Sequence, residues 1–266
     1  MLEAARQILR YRSLLWNLTV REIKARYRGS ALGFLWSLAN PLLLLAVYSL
    51  VFGFIFQQRI EGASPYPLFL ICGLFPWIWI STSILEGTMS LIANAGLIRK
   101  SAFPAELLPV VSVLSNLVHF LLALPILAAA LLVGRFLLGS DVGGLSFLLL
   151  PVVVVLQLPM IAGIALGLSA LNVHFKDVRD LTINAMTLLF FLSPILYLLS
   201  ALPEKLQLLI HLNPFTPFVL AYQEVLFHGM VPGPVRWLAM IGVSILLWAL
   251  GASLFERLRD TLVEAA

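Results

Sequence analysis

Charged residues are scarce in this sequence and unevenly placed. Only 11% of its 266 residues are Asp, Glu, Lys or Arg, whereas soluble domains carry about 25%. The hydrophobic fraction is 61% and the mean hydropathy is +1.01. This composition excludes an ordinary soluble domain and predicts a membrane protein.

The sequence also has only one cysteine, and its first thirty residues contain no apolar segment of the kind found in signal peptides. The single cysteine, Cys72, rules out an intrachain disulfide and a cysteine-based metal site. The first thirty residues are basic and polar, so we expect no cleavable signal peptide.

The sequence lacks the short motifs of the common catalytic sites. No lysine follows a glycine, which excludes the phosphate-binding loop G-x-x-x-x-G-K-[ST], and neither H-E-x-x-H nor G-x-S-x-G occurs. The long apolar runs contain no ionisable pair of the kind that relays protons in secondary transporters. We therefore expect no enzyme, metal or cofactor on this chain, and an energy source on another chain.

What the sequence has is six long uncharged runs. Each is long enough for a helix to cross a bilayer, which needs roughly 20 apolar residues, and each is continuous rather than alternating, which favours helices. The prediction is an all-α polytopic membrane protein, one transmembrane domain over 1–266. The predicted spans are 29–56, 62–85, 107–134, 147–173, 181–203 and 236–255.

The region 204–233 between the last two spans is interrupted by prolines. Pro214 and Pro217 each remove a backbone donor, which is costly in lipid. We predict short, broken or re-entrant helices there, on the outer side of the membrane.

The basic residues predict the orientation. Thirteen of the 17 Lys and Arg lie in 1–28, 86–106, 174–180 and 256–266, and short basic loops remain in the cytoplasm. Both termini are therefore expected inside. The net charge of +4 indicates contact with anionic lipid, not nucleic acid.

The segment 1–28 predicts an amphipathic helix, because Ala4, Ile8, Tyr11 and Leu15 share one face. Glu22 would fall on that face, so we expect the helix to end or turn near residue 20. The apolar face would rest on lipid or receive a cytoplasmic partner, and the pattern leaves both open.

Polar and aromatic residues recur at helical spacing in the first and fifth spans. The interpretation is a substrate pathway, with helix packing as the alternative. The pathway residues are Ser37, Asn40, Tyr48, Phe52, Phe190, Ser193 and Tyr197. For a polar face in the third span that contains Asn116 and His119, packing is favoured. Trp77 and Trp79, in the middle of the second run, are expected to face lipid.

Two predicted inner loops mix apolar and charged residues. They read NAGLIRKSAFPAELLP from Asn94 and NVHFKDVRD from Asn172. Each is either a solvated loop or a docking site for a soluble subunit.

These loops belong to a set of stretches that together resemble a known family. In chain order they are REIKARYRGSALGFLWSLANPLL, NAGLIRKSAFPAELLP, NVHFKDVRDL, and FFLSPILY followed by LNPFTPF. They resemble the membrane subunits of ABC-2 type transporters that export bacterial polysaccharides such as O antigen, capsule and teichoic acid. The resemblance covers nearly the whole chain.

The resemblance implies a homodimer that works with two copies of a cytoplasmic ATPase, which binds Mg-ATP, in the bacterial inner membrane. The N-terminal helix would be an interface helix, and a short helix in the second stretch a coupling helix. The residues implied in ATPase coupling are Asn94, Gly96, Leu97, Ile98, Arg99, Lys100, Phe103, Lys176 and Asp177.

The implied substrate is a polysaccharide linked to undecaprenyl diphosphate, foremost an O antigen. Arg26 and Arg28 at the inner mouth would meet the diphosphate, although anchoring of the N-terminus explains the same bases. Alternative cargoes are teichoic acid, capsule or a small lipophile. From another class, an integral membrane enzyme of glycolipid assembly would need clustered acids or histidines, and a scaffold would leave the polar stripes without a role.

Overall fold

The computed structural model describes residues 2–30, 33–55, 62–98, 103–137, 139–140 and 142–265, with side chains described except at positions 2, 34, 37, 53 and 260–265. Across these ranges the regular elements are helices and no strand occurs. The α-helices are α1 (Leu2–Arg10), α2 (Arg12–Arg26), α3 (Trp36–Tyr48), α4 (Tyr66–Ala93), α5 (Ala95–Ile98), α6 (Leu107–Phe136), α7 (Leu150–His174), α8 (Val178–Phe191), α9 (Glu204–His211), α10 (Thr216–Tyr222) and α11 (Pro234–Ala265). The all-helical prediction is confirmed for the described chain.

Shorter helical segments extend several of these helices. The π-helical segments Ser49–Ile55 and Gln223–Phe227 continue α3 and α10. Turns of 3₁₀ helix precede α3 at Gly33–Leu35 and α7 at Leu145–Leu149.

Four helices in the described part of the chain are long and apolar enough to cross a membrane. They are Tyr66–Ala93, Leu107–Phe136, Leu145–His174 and Pro234–Arg259. The predicted first and fifth spans contain shorter helices, α3 and α8. The count of six crossings therefore stays a prediction.

Helix α4 lies at the centre of the bundle, against α6, α7, α8 and α10. Its side chains Phe69, Ile71 and Ile80 are fully buried in the main core. Trp77 and Trp79 are also buried there, 5% and 2% exposed, so the expectation that they face lipid is wrong. Neighbouring helices cover most of α4, and this cannot be read from its uniformly apolar sequence.

Helices α7 and α11 approach each other closely through glycines. A Cβ placed on Gly251 would collide with the backbone of Gly163, and one on Gly163 would collide with Leu247 and Trp248. Small residues let helix backbones approach closely in membranes. The glycines therefore determine how near these two helices lie.

The N-terminal helices pack on the protein. Leu15 and Leu18 of α2 are buried against the start of α6, and the backbone NH of Ala4 donates to Glu256 of α11 (3.2 Å). A short break at Tyr11 separates α1 from α2. The expected end near residue 20 is wrong: α2 continues to Arg26, whose side chain finds polar partners on α4 and α6.

Helix α8 is shorter than the predicted span 181–203, because it ends at Phe191. Pro194 cannot donate to the helix and would clash with its last turn. The side-chain amide of Asn213 donates to the Leu192 carbonyl (3.3 Å) and to the Ser193 hydroxyl (3.0 Å). A residue from a later segment thus satisfies the end of α8.

The proline-interrupted region contains the short helices that the sequence predicts. α9 has 8 residues and α10 has 7. Pro203 and Pro217 stand at or just before their first turns, where a missing amide costs little. On which side of the membrane they lie stays a prediction.

Candidate functional site

A charged and polar cluster lies where α2 meets the inner ends of α4 and α6, as the predicted orientation places them. The Arg26 guanidinium donates to the Glu86 carboxylate (2.6 Å) and to the Asn116 side-chain oxygen (3.0 Å). The Asn116 amide in turn donates to the same Glu86 oxygen (2.6 Å) and to the Ser112 carbonyl (3.0 Å). Bonds to ionised groups are the stronger kind of hydrogen bond. We call Arg26, Glu86 and Asn116 the arginine cluster.

The arginine cluster stands between two cavities. One, of about 370 Å³, lies between α3, α4 and α6, and Arg26 and Asn116 line one end of it. The other, of about 480 Å³, lies between α2, α4 and α6 and contains both Arg26 and Glu86. We call them the bundle cavity and the α2 groove. Five aromatic side chains line the bundle cavity: Tyr27, Trp36, Phe75, Trp79 and Phe120.

The two predicted gate arginines are not brought together. Arg28 follows the end of α2 and lines a separate basic groove with Arg21 and Lys24. Only Arg26 lines the bundle cavity and the α2 groove. The chain turns after Arg28 at Gly29, whose φ of +79° favours glycine.

The predicted pathway residues of the first span lie in two places. Asn40 is exposed and lines the bundle cavity. The rings of Tyr48 and Phe52 stack with centroids 5.9 Å apart, and Phe52 meets Tyr66 of α4 edge-on at 5.1 Å. Ser37 belongs to α3, but its side chain lies outside the described residues.

The predicted pathway residues of the fifth span are more enclosed than those of the first span. Phe190 packs on Trp77, with ring centroids 5.9 Å apart. Ser193 is fully buried, and its hydroxyl donates to the Leu189 carbonyl (2.7 Å). Tyr197 donates to the Phe191 carbonyl (3.0 Å). These side chains pack or form hydrogen bonds near the C-terminal end of α8. Their role in a substrate pathway stays a prediction.

The predicted coupling residues gather at one end of the bundle. Asn94 ends α4, donating from its side chain to the Ser90 carbonyl (3.0 Å), and α5 follows. Ile98 is buried in a small apolar cluster with α7 and α11, against which Leu97 and Phe103 pack. Gly96 is exposed.

The second predicted coupling loop lies at the same end. Val173, just before it, packs on the cluster that holds Ile98. Lys176 and Asp177 are exposed. Arg99 and Lys100 lie outside the described residues. The structure thus brings the two predicted docking loops to a common surface.

Two members of the arginine cluster were not recognised from the sequence. Glu86 is the sole acid between residues 62 and 105, and its place at the inner end of a span opposite Arg26 was the available signal. Asn116 belonged to a face interpreted as packing. His119 lies one turn further along α6, its ring centroid 5.6 Å from that of Tyr27.

A second, partly buried ion pair lies at the other end of the bundle. Glu224, after α10, contacts Arg236 at the start of α11 (2.9 Å), with about a quarter of each side chain exposed. Burial raises the pKa of the Glu224 carboxyl above its ordinary value, while the adjacent Arg236 acts in the opposite direction.

The long apolar helices and the polar groups gathered at their ends define a polytopic membrane protein. A family profile described as ABC-2 type transporter matches residues 13–227. The chain therefore belongs to the ABC-2 type transporter family, as its resemblance implied, and is a membrane subunit of an exporter.

Named relatives match the chain along its length. It is 37% identical over 271 aligned positions to the O-antigen export system permease protein RfbA of Myxococcus xanthus, with both chains fully covered. A protein of the same name from Klebsiella pneumoniae is 32% identical over 94% of each chain. The polysialic acid transport protein KpsM of Escherichia coli is 22% identical, over 92% of this chain and 93% of its own.

Proposed function

We propose that this chain forms the channel of an ATP-driven exporter that moves a lipid-linked polysaccharide, foremost an O antigen carried on undecaprenyl diphosphate, across the bacterial inner membrane. The observation that carries the proposal is the end-to-end similarity to O-antigen export permeases at 37% identity. The lower identity to a polysialic acid transport protein makes capsule export the second candidate.

The proposed assembly is a homodimer with two copies of a cytoplasmic ATPase, which holds the Mg-ATP. The exposure of α8 supports a second copy, since only Thr182 and Met186 of its residues are buried. Asn184 and Thr187 are exposed on this helix, and polar side chains inside a membrane usually face a bundle or a water-filled path rather than lipid.

The coupling surface is proposed to be α5 together with the loop at Lys176 and Asp177. The burial of Ile98 among α7 and α11 supports this, because force on α5 would reach two spans through packed side chains. We propose that ATP-driven closure of the ATPase pair moves this surface and, with it, the first and fifth spans.

At the inner mouth, Arg26 and Arg28 are proposed to meet the diphosphate of the substrate. Arg26 lines a cavity, and Arg28 lies in an adjoining basic groove. Each guanidinium can donate charge-assisted hydrogen bonds to a phosphate oxygen. Replacing both by glutamine is expected to impair export while membrane insertion is kept, and unchanged export would refute this assignment.

The proposal is tested by isolating the tagged chain from native membranes in mild detergent and assaying ATPase activity. We expect a stoichiometric soluble ATPase, and loss of its substrate-dependent activity when Arg99 and Lys100 are both changed to alanine. A chain that comes down alone, even after cross-linking in the membrane, would contradict the proposal.

Ile98→Ala tests the buried side of the same surface. Loss of a buried aliphatic side chain costs about 2–5 kcal/mol, so we expect a loosened α5 and reduced coupling of ATP hydrolysis to export, with the ATPase still bound. The matched control is Ile210→Ala, which removes a buried isoleucine from α9, outside the proposed coupling surface. Equal coupling in both variants would argue against transmission through the cluster.

A further inference from the structure

The bundle cavity has a polar end and an apolar end, and α4 and α6 agree on the direction. On α6, Asn116 and His119 are followed outward by Phe120 and Ala123. On α4, Thr82 lies at the polar end and Phe75 at the apolar end, two turns away. A cavity graded in this way fits an amphiphile lengthwise.

The cavity is small, and its far end is walled by aromatic rings. A volume of about 370 Å³ is near the lower end of small-molecule pockets. The walls at the apolar end are Phe75, Trp79 and Phe120, and Trp79 stacks on Phe120 with ring centroids 5.1 Å apart. Such a space accepts part of a hydrocarbon chain.

The polar end offers a cation and a polar atom without a partner. Arg26 stands at the junction of the bundle cavity and the α2 groove, with 30% of its side chain exposed. The Nδ1 atom of His119 lies 2.7 Å from the Ser115 carbonyl, and its buried Nε2 has no hydrogen-bond partner among the described residues. With Nδ1 donating, Nε2 is left to accept from a hydroxyl or, once protonated, to donate to an anion.

We infer that the bundle cavity binds a phosphate ester carried on an apolar chain, with the phosphate at Arg26 and the first part of the chain against Trp79 and Phe120. The Glu86 carboxylate accepts a hydrogen bond from Arg26 (2.6 Å), at the position where a phosphate would bind. A phosphate entering this position competes with Glu86 for the guanidinium, so Glu86 opposes binding and Arg26 supports it.

Two sources supply this chemistry: the lipid end of the exported glycan and the anionic phospholipids of the membrane. The first source rests on the proposed function, whereas the second does not. The site lies within one subunit, between α3, α4 and α6, and so does not depend on how two copies meet.

The test is photolabelling of the intact transporter in phosphatidylcholine nanodiscs. The probe is phosphatidic acid with a diazirine early in its acyl chain, and the matched probe is the diacylglycerol with the same chain. We expect phosphate-dependent labelling of peptides that contain Phe75–Thr82 or Asn116–Ala123. Equal labelling by the neutral probe, or labelling confined to lipid-facing helices, would overturn the inference.

Three variants make the test directional. Arg26→Gln is expected to reduce labelling about fivefold, the ratio for the roughly 1 kcal/mol that one basic residue contributes near an anionic lipid. Glu86→Gln is expected to raise it. Ala123→Phe, at the apolar end, is expected to block labelling with the arginine cluster intact. Arg12→Gln, at the exposed start of α2 and lining neither cavity, is the control and should label as the wild type.

Competition separates the two sources, and export separates this inference from the proposed function. Undecaprenyl phosphate that displaces the probe better than phosphatidylglycerol points to the lipid-linked substrate, and the reverse order points to a membrane phospholipid. If labelling ignores Arg26 and Glu86 while glycan export persists, the inference fails and the proposed function stands. If labelling follows the variants but no glycan is exported, the proposed function fails alone.

Discussion

Ion pairs between distant segments hold the ends of the bundle together. Among the described residues, Arg26 joins Glu86, Glu224 joins Arg236, and Glu106 lies 3.8 Å from Arg259. Glu106 is 2% exposed, and one of its carboxylate oxygens has no hydrogen-bond partner within the described chain. Breaking a buried pair leaves an uncompensated charge, which is more damaging than loss of an exposed one.

The Glu224 carboxyl predicts a specific dependence on pH. Burial raises its pKa above the ordinary value of 4.5, so the folded chain holds this proton more tightly than the unfolded chain. The stability that it contributes is therefore present below 4.5 and is lost as the pH rises through the raised pKa. We expect the thermal midpoint of the wild type, measured in detergent, to fall over this pH range. Glu224→Gln should lack this fall.

The control for that measurement is Glu204→Gln. Glu204 is exposed in the first turn of α9, close along the chain but outside the pair. This variant should keep the pH profile of the wild type. A Glu224→Gln profile parallel to that of the wild type would show that Glu224 is not the group responsible.

At the scale of elements, uniform hydrophobicity hides how helices are arranged. α4 and α6 have similarly apolar sequences, yet α4 is mostly buried by its neighbours and α6 is less so. In α7, Gly163 and Gly167 form a G-x-x-x-G pattern that indicates a close helix contact, but only the structure shows that Gly251 of α11 is the partner.

The α7–α11 contact makes a prediction at this scale. In Gly251→Ala the new methyl group would meet the backbone of Gly163, which cannot yield as a flexible side chain would. Forced overpacking costs about 1–3 kcal/mol, so we expect a lower thermal midpoint in detergent. Gly242→Ala on the same helix, where nothing lies within 4 Å, should leave the midpoint unchanged. Equal midpoints for the two variants would show that the helices separate freely.

For the whole molecule, the main prediction concerns how many times the chain crosses the membrane. α8 has 14 residues, about 21 Å of helix, whereas the hydrocarbon core is about 30 Å thick. If 178–203 crosses the membrane, the residues after Phe191 must complete the crossing, and protein must surround their backbone. The burial of Ser193 and Ile195 is consistent with such surroundings.

Cysteine labelling distinguishes the alternatives. On a Cys72→Ala background, we expect Lys176→Cys to react with an impermeant maleimide only after the membrane is opened, and Met230→Cys to react from outside. Both side chains are exposed in this structure. Labelling of both positions from the same side would mean that 178–203 does not cross, and labelling of Lys176→Cys from outside would reverse the orientation.

The sequence by itself determined the class of protein, the positions of the apolar segments and the short helices around Pro214 and Pro217. These are local properties: a long apolar run demands a helix in lipid, and two closely spaced prolines keep this region from forming one long helix. The family also follows from the sequence, because its motifs lie in order along the chain.

Only the tertiary structure decided which side chains meet. Arg26 finds Glu86 and Asn116 across 60 and 90 residues, and α8 ends where Asn213 arrives from a later segment. The burial of Trp79 likewise depends on helices that close around α4. An apolar sequence in a membrane has no polar face to reveal its neighbours, since lipid and protein interior are equally apolar. For this reason the partners of the few polar residues, and with them the bundle cavity, emerge only from the packed structure.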